Sequence, residues 1–137
     1  VADDGDRPQV PPGVGPHELQ ELALMLAGSK PAAMFYDGLV ARYIIPEDEF
    51  EPHVQAGRII KHVVIEPDSN GMESICVYYA LPGHEWRIYA LEAINQPIRT
   101  GQRQATDQDD IETGHLLGYT EQEIASFMAW IKRDQAS

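Results

Sequence analysis

The chain has 137 residues, 43% apolar and 23% charged, which is ordinary for a globular protein able to bury a core of its own. Ten Lys and Arg against 22 Asp and Glu give a net charge of -12. That balance argues against direct binding to nucleic acid or to an anionic membrane surface, both of which need a cationic footprint. No apolar run reaches the length that spans a bilayer.

Residues 1–15 (VADDGDRPQVPPGVG) are acidic and then rich in Pro and Gly, without periodicity. They read as a flexible tail, leaving residues 16–137 as a single α+β domain. No signal-peptide pattern is visible, so a cytoplasmic setting is the default expectation. Cys76, the single cysteine, excludes an intramolecular disulfide. Its place inside an apolar run makes it a small packed hydrophobe rather than a nucleophile.

Pro16 to Ala27 reads as a helix. Pro16 suits the first turn, Glu18 the positive end of the dipole, and Gly28 with Pro31 the stop. Ala32–Tyr36 and Leu39–Ile45, separated by Asp37-Gly38, read as a hairpin, with one continuous helix as the competing interpretation. Pro46 and the acids Glu47, Asp48, Glu49 and Glu51 mark a helix start, with Phe50 and Val54 facing inward. Pro52 should limit its first segment to about a turn.

Arg58 to Ile94 reads as a three-stranded meander. Pro67 to Gly71 contains Asn-Gly, a strong hairpin signal, and Pro82-Gly83 marks a second turn. The expected architecture is therefore an antiparallel sheet of three to five strands centred on residues 58–94, packed by N- and C-terminal helices. In the simplest register Tyr79 faces Trp86, Val77 faces Ile88 and Ile75 faces Ala90. For the first strand, Ile60, His62 and Val64 are placed on that core face, because a slip of one residue would bury the ammonium of Lys61. The other face then carries Lys61, Val63, Ile65, Tyr78, Arg87, Tyr89 and Leu91. A covering helix is the expected reason for so apolar a second face.

Asn95 to Gln108 reads as a loop carrying Arg99 and Arg103. Asp107 to Glu112 opens a short helix that Gly118 ends. Thr120 and Glu123 form a capping box for a final helix, with Ile124, Phe127, Met128 and Ile131 at helical spacing.

No motif specifies a reaction: there is no phosphate loop, nucleophile elbow or Cys-His metal spacing. No catalytic residue, metal ligand or cofactor is therefore expected. Glu112 and His115 share a helical face, and His62 and His84 lie in or beside strands, but ordinary structural roles account for each. Two groupings remain. The acidic clusters Glu47, Asp48, Glu49, Glu51 and Asp107, Asp109, Asp110, Glu112 would engage a basic protein partner if they lie on one side. That makes a non-catalytic inhibitor, immunity-type protein or adaptor the leading expectation. Alternatively, Lys61, Tyr78, Arg87 and Tyr89 on the second sheet face would serve a small-molecule-binding domain for an anionic ligand, or a minor enzyme. A third reading is a homodimer through that face.

Overall fold

The computed structural model describes residues 20–38 and 45–136, and of 130–136 the backbone alone. The expected tail (1–15), the start of the expected first helix (16–19) and the run 39–44 lie outside the described residues. In chain order the elements are α1 (Glu21–Leu26), β1 (Ala32–Gly38), α2 (Glu47–Gln55), β2 (Ile60–Pro67), β3 (Glu73–Ala80), α3 (Glu85–Arg99), α4 (Asp107–Leu117) and α5 (Glu121–Ala136). The protein is an α+β domain whose three-stranded antiparallel sheet has the order β1-β3-β2.

The β2–β3 hairpin forms where the sequence places it. The carboxylate of Asp68 accepts the N–H groups of Asn70 (2.8 Å) and Met72 (3.0 Å). Gly71 takes the positive φ of 80° that the turn demands.

The stretch expected to be a third strand is helical. Trp86, Ile88 and Ala90 mimic strand alternation, but Ile88, Leu91 and Ile98 also recur at helical spacing. Glu, Arg, Ala and Leu between them favour the helix. Ile88 and Leu91 are buried while Trp86 stays 55% exposed, so the helical period is the one the fold uses. The helix runs on through Pro97 to Arg99, taking in residues expected to be loop. The third strand of the sheet is instead β1, which pairs Ala33 with Tyr79 and Phe35 with Val77.

The hairpin register also differs from the expected one by one residue. Lys61 pairs with Tyr79, Val63 with Val77 and Ile65 with Ile75, so Ile60, His62 and Val64 share the face of Tyr78 and Cys76. The case against this register was the burial of an unmatched ammonium. Lys61 avoids that cost because α2 brings Glu47 and Glu51 to 3.6 and 3.5 Å from its Nζ.

β1 and β2 both run antiparallel to β3, hence parallel to each other, and α2 lies between them in the chain. On its face Phe50 stacks on Tyr79 (centroids 4.0 Å apart), and Phe35 meets both rings edge-on. Met25 of α1 and Ile45, Ile59, Ile75 and Val77 complete this core. Pro52 sits inside α2 without ending it, since Phe50 and Val54 on either side of it both pack on this core.

The opposite face carries Ala32, Cys76, Tyr78 and Ala80, covered by Ile88 and Leu91 of α3 with Leu116 and Leu117 of α4 alongside. The second face is thus covered by helix, as expected, though by the segment read as a strand. α5 packs chiefly on α4 rather than on the sheet.

The hydroxyl of Tyr79 is buried with no hydrogen-bond partner among the described residues. Burial, reinforced by the charges of Glu47 and Glu51, pushes its pKa up. Tyr79→Phe is therefore expected to leave stability unchanged or raise it by up to about 1 kcal/mol, since it removes a desolvated group and keeps the ring. A urea midpoint that falls clearly below wild type would refute this.

Candidate functional site

Helix α4 is fixed at its start by neighbouring side chains and at its end by side chains distant in sequence. At its start, Thr106 and Asp109 form a capping box, and Arg103 grips Asp109 with two hydrogen bonds of 2.7 and 3.0 Å. The Arg103 guanidinium, then the Thr106 backbone N–H, hold the Asp109 carboxyl well below the usual range. Asp109 is thereby committed to structure.

At the far end, Gly118 adopts φ +90° and closes the helix. A Cβ there would stand 2.5 Å from Cδ of Pro31. That close approach brings Lys30 onto the last turn, where its Nζ donates to the Leu117 carbonyl (2.5 Å) and lies 4.9 Å from the centre of the Tyr119 ring. Arg87 donates to the carbonyls of His115 (3.2 Å) and Leu116 (3.0 Å). Two cations thus satisfy the last carbonyls at the negative end of the dipole, of which His115 also accepts the Gly118 N–H. Lys30 is 2% exposed, and burial lowers its pKa to about 8 against the opposing pull of Glu21 and Glu123.

Between α4 and α5 lies a cleft of about 220 Å³. Gly114 makes the close helix approach beside it feasible, because a Cβ there would sit 2.8 Å from Cγ1 of Ile124. Leu117, Tyr119, Ile124 and Phe127 give the cleft an apolar lining, and Asp110 and Glu123 add carboxylates. Glu123 accepts the Thr120 N–H at 2.7 Å, and Thr120 in turn accepts the Glu123 N–H at 3.1 Å, the capping box legible in the sequence. Burial, followed by the charges of Asp107 and Asp109, raises the Asp110 pKa. An apolar slot with a desolvated carboxylate suits an aliphatic chain ending in a cation.

A second polar cluster lies between α3 and the sheet. Arg99, 7% exposed, ion-pairs with Glu66 and, at 2.9 Å, with Glu92. Tyr78 donates its hydroxyl to Glu92. Asn95 reaches the Cys76 sulfur at 3.8 Å. Burial opposes the charge on Arg99, but the bonds from Glu92 and Glu66 outweigh it and its pKa rises. Burial likewise raises Cys76 and Tyr78. Every member faces another, which makes this cluster a tie between layers.

Lys61, Tyr78, Arg87 and Tyr89 do not come together. Lys61 and Tyr78 occupy opposite faces of the sheet. Tyr78 is fully buried, Arg87 caps α4, and Tyr89 is 66% exposed beside His62. The acidic clusters are also separated, since α2 packs on one face of the sheet and α4 on the other. Glu47 and Glu51 engage Lys61, while Asp48 and Glu49 are exposed. His115 pairs with Glu121 rather than with Glu112, and His84 accepts from Arg87. Lys30, Glu66 and Glu92 escaped sequence reasoning, because nothing local distinguishes them from surface charges.

Among the described residues no group of three or more His, Cys, Asp or Glu is arranged to hold a metal ion. No described helix is long and apolar enough to cross a membrane. No family model matches the chain, and neither the curated proteins nor the solved structures compared with it give a match.

Removing Arg99 would leave the half-buried carboxylates of Glu66 and Glu92 without their shared counter-ion. Arg99→Met is expected to cost about 3 kcal/mol or more, measured by urea denaturation. Adding Glu66→Gln and Glu92→Gln should recover part of the loss; no recovery would mean that the arginine acts through packing alone.

Lys30 yields a pH dependence. Its folded pKa near 8 lies below the ordinary value of 10.5, so between these values the unfolded chain binds the extra proton. Stability contributed by the group therefore rises with pH across that window. Relative to Lys30→Met, the wild-type melting temperature should climb from pH 8 to pH 10.5, and a decline would contradict the assignment.

Proposed function

We propose that the chain is a non-catalytic protein-binding module, a small acidic inhibitor, immunity-type protein or adaptor that engages a basic protein partner. The observation that carries this reading is the α4–α5 cleft, with its apolar lining and the half-buried carboxylate of Asp110. A lysine or arginine of the partner matches it, with an aliphatic stem against Leu117 and Ile124 and a cation at Asp110. Asp107, Glu112 and Glu121 lie exposed on the same two helices. The net charge of -12 would accelerate encounter with such a partner.

The separation of the two acidic clusters narrows the reading. One partner surface does not need both, and the α4 cluster is the one beside a cleft. Asp109 is excluded from the contact set because Arg103 and Thr106 already hold it. Asp110 in the cleft and the exposed Asp107 and Glu112 beside it on α4 are the partner-binding acids, and the α2 residues Asp48 and Glu49 are the comparison.

The test is affinity capture from source lysate with elution by rising salt. One stoichiometric basic protein should be retained and released as salt increases. The variant Asp107→Asn/Asp110→Asn/Glu112→Gln should bind it about tenfold more weakly or worse, whereas Asp48→Asn/Glu49→Gln should bind it as wild type does. Asp110→Asn alone should not lower the melting temperature, because it removes a desolvated charge. Salt-insensitive capture, or loss confined to the α2 variant, would overturn the assignment.

A further inference from the structure

β2 forms one edge of the sheet, and among the described residues no strand lies on its outer side. It is long for an edge strand at eight residues, and its pairing with β3 is unbroken by a bulge. Proline appears only at its last position. Lys61, the side chain that would ordinarily guard such an edge, is held by Glu47 and Glu51 of its own chain. Farther along the same face, Val63 and Ile65 are 40% and 49% exposed. On the other face His62 is exposed and meets Tyr89 edge-on at 6.1 Å. Trp86 lies one helical turn before Tyr89, so exposed aromatic surface continues from the strand edge onto α3.

We propose that β2 pairs antiparallel with β2 of a second copy of this chain, joining the two sheets into one. The strand is complementary to itself about Val64. A twofold axis normal to the sheet keeps each face continuous, so odd residues meet odd and even meet even. With Val64 opposite its counterpart, Val63 faces Ile65 of the second copy and His62 faces Glu66. The exposed aliphatic residues cover one another twice, and an imidazole meets a carboxylate at both ends. Centring the axis on Val63 instead sets Lys61 against Ile65 and Ile60 against Glu66, which matches neither charge nor hydropathy. The stretch Ile60–Pro67 holds one Lys and one Glu, so two chains of charge -12 meet here along a neutral strip.

The choice of a second copy rests on this self-complementarity and is independent of the cleft between α4 and α5. Sedimentation velocity over micromolar to millimolar concentrations should give a reversible monomer–dimer equilibrium. Val63→Lys/Ile65→Lys alters two exposed positions, so it should fold with an unchanged melting temperature at low concentration and remain monomeric. His62→Glu, which would face Glu66, should weaken the dimer about tenfold. Hydrogen exchange of those amides within 62–66 that point away from β3 should slow as the wild-type dimer forms. A monomer at every concentration, or a dimer indifferent to the double lysine variant, would overturn the proposal. So would outward-pointing amides that slow only when an extended peptide of another protein is added.

Discussion

The burial of β3 on both faces is the constraint on which the remaining layers depend. From Ser74 to Ala80 every residue is buried, so the strand has no solvent side and needs apolar cover above and below. Each fully buried aliphatic or aromatic side chain there contributes roughly 1.5–3 kcal/mol relative to exposure. Neither α1 with α2 nor α3 with α4 could supply this alone. The chain therefore places a helix before β2 on one face and a helix after β3 on the other. The flanking strands tolerate half-exposure because only β3 is enclosed.

Charge is distributed around that enclosed strand in a consistent way. The buried cations Lys30 and Arg99 meet carbonyl oxygens or carboxylates contributed by other elements. The acids, by contrast, remain largely on the outer surfaces of α2, α4 and α5. The cations thus serve cohesion while the surplus negative charge faces outward. This division is why Lys61, Arg87 and Tyr78 belong to three separate interactions rather than one binding surface.

Local signals in the sequence marked what local chemistry decides. The Asp68–Gly71 turn, the Gly118 stop and the Thr120–Glu123 capping box each depend on residues within a few positions of one another. The period of Glu85–Ile94 was ambiguous over a short window, and alternation at Trp86, Ile88 and Ala90 concealed the pairing of Ile88 with Leu91. Register is not legible for a different reason: it depends on Glu47 and Glu51 reaching Lys61 from α2, a contact between segments that no local pattern encodes. The cleft and the Arg99 cluster were invisible for the same cause. The members of the Arg99 cluster come from β2, β3 and α3, whereas the cleft is formed by the neighbouring helices α4 and α5 and depends on how closely they approach at Gly114 and Ile124.

The interleaved strand order has a kinetic consequence. β2 and β3 adjoin through a short turn, so their ladder closes with little loss of loop entropy. β1 reaches β3 only after α2 and β2 have been synthesised and set aside, and its ladder carries the long-range contacts of the sheet. Such contacts dominate contact order and set the folding rate. Contact order therefore favours early closure of the hairpin over the docking of β1, which encloses Tyr79 beside Phe50 and Phe35.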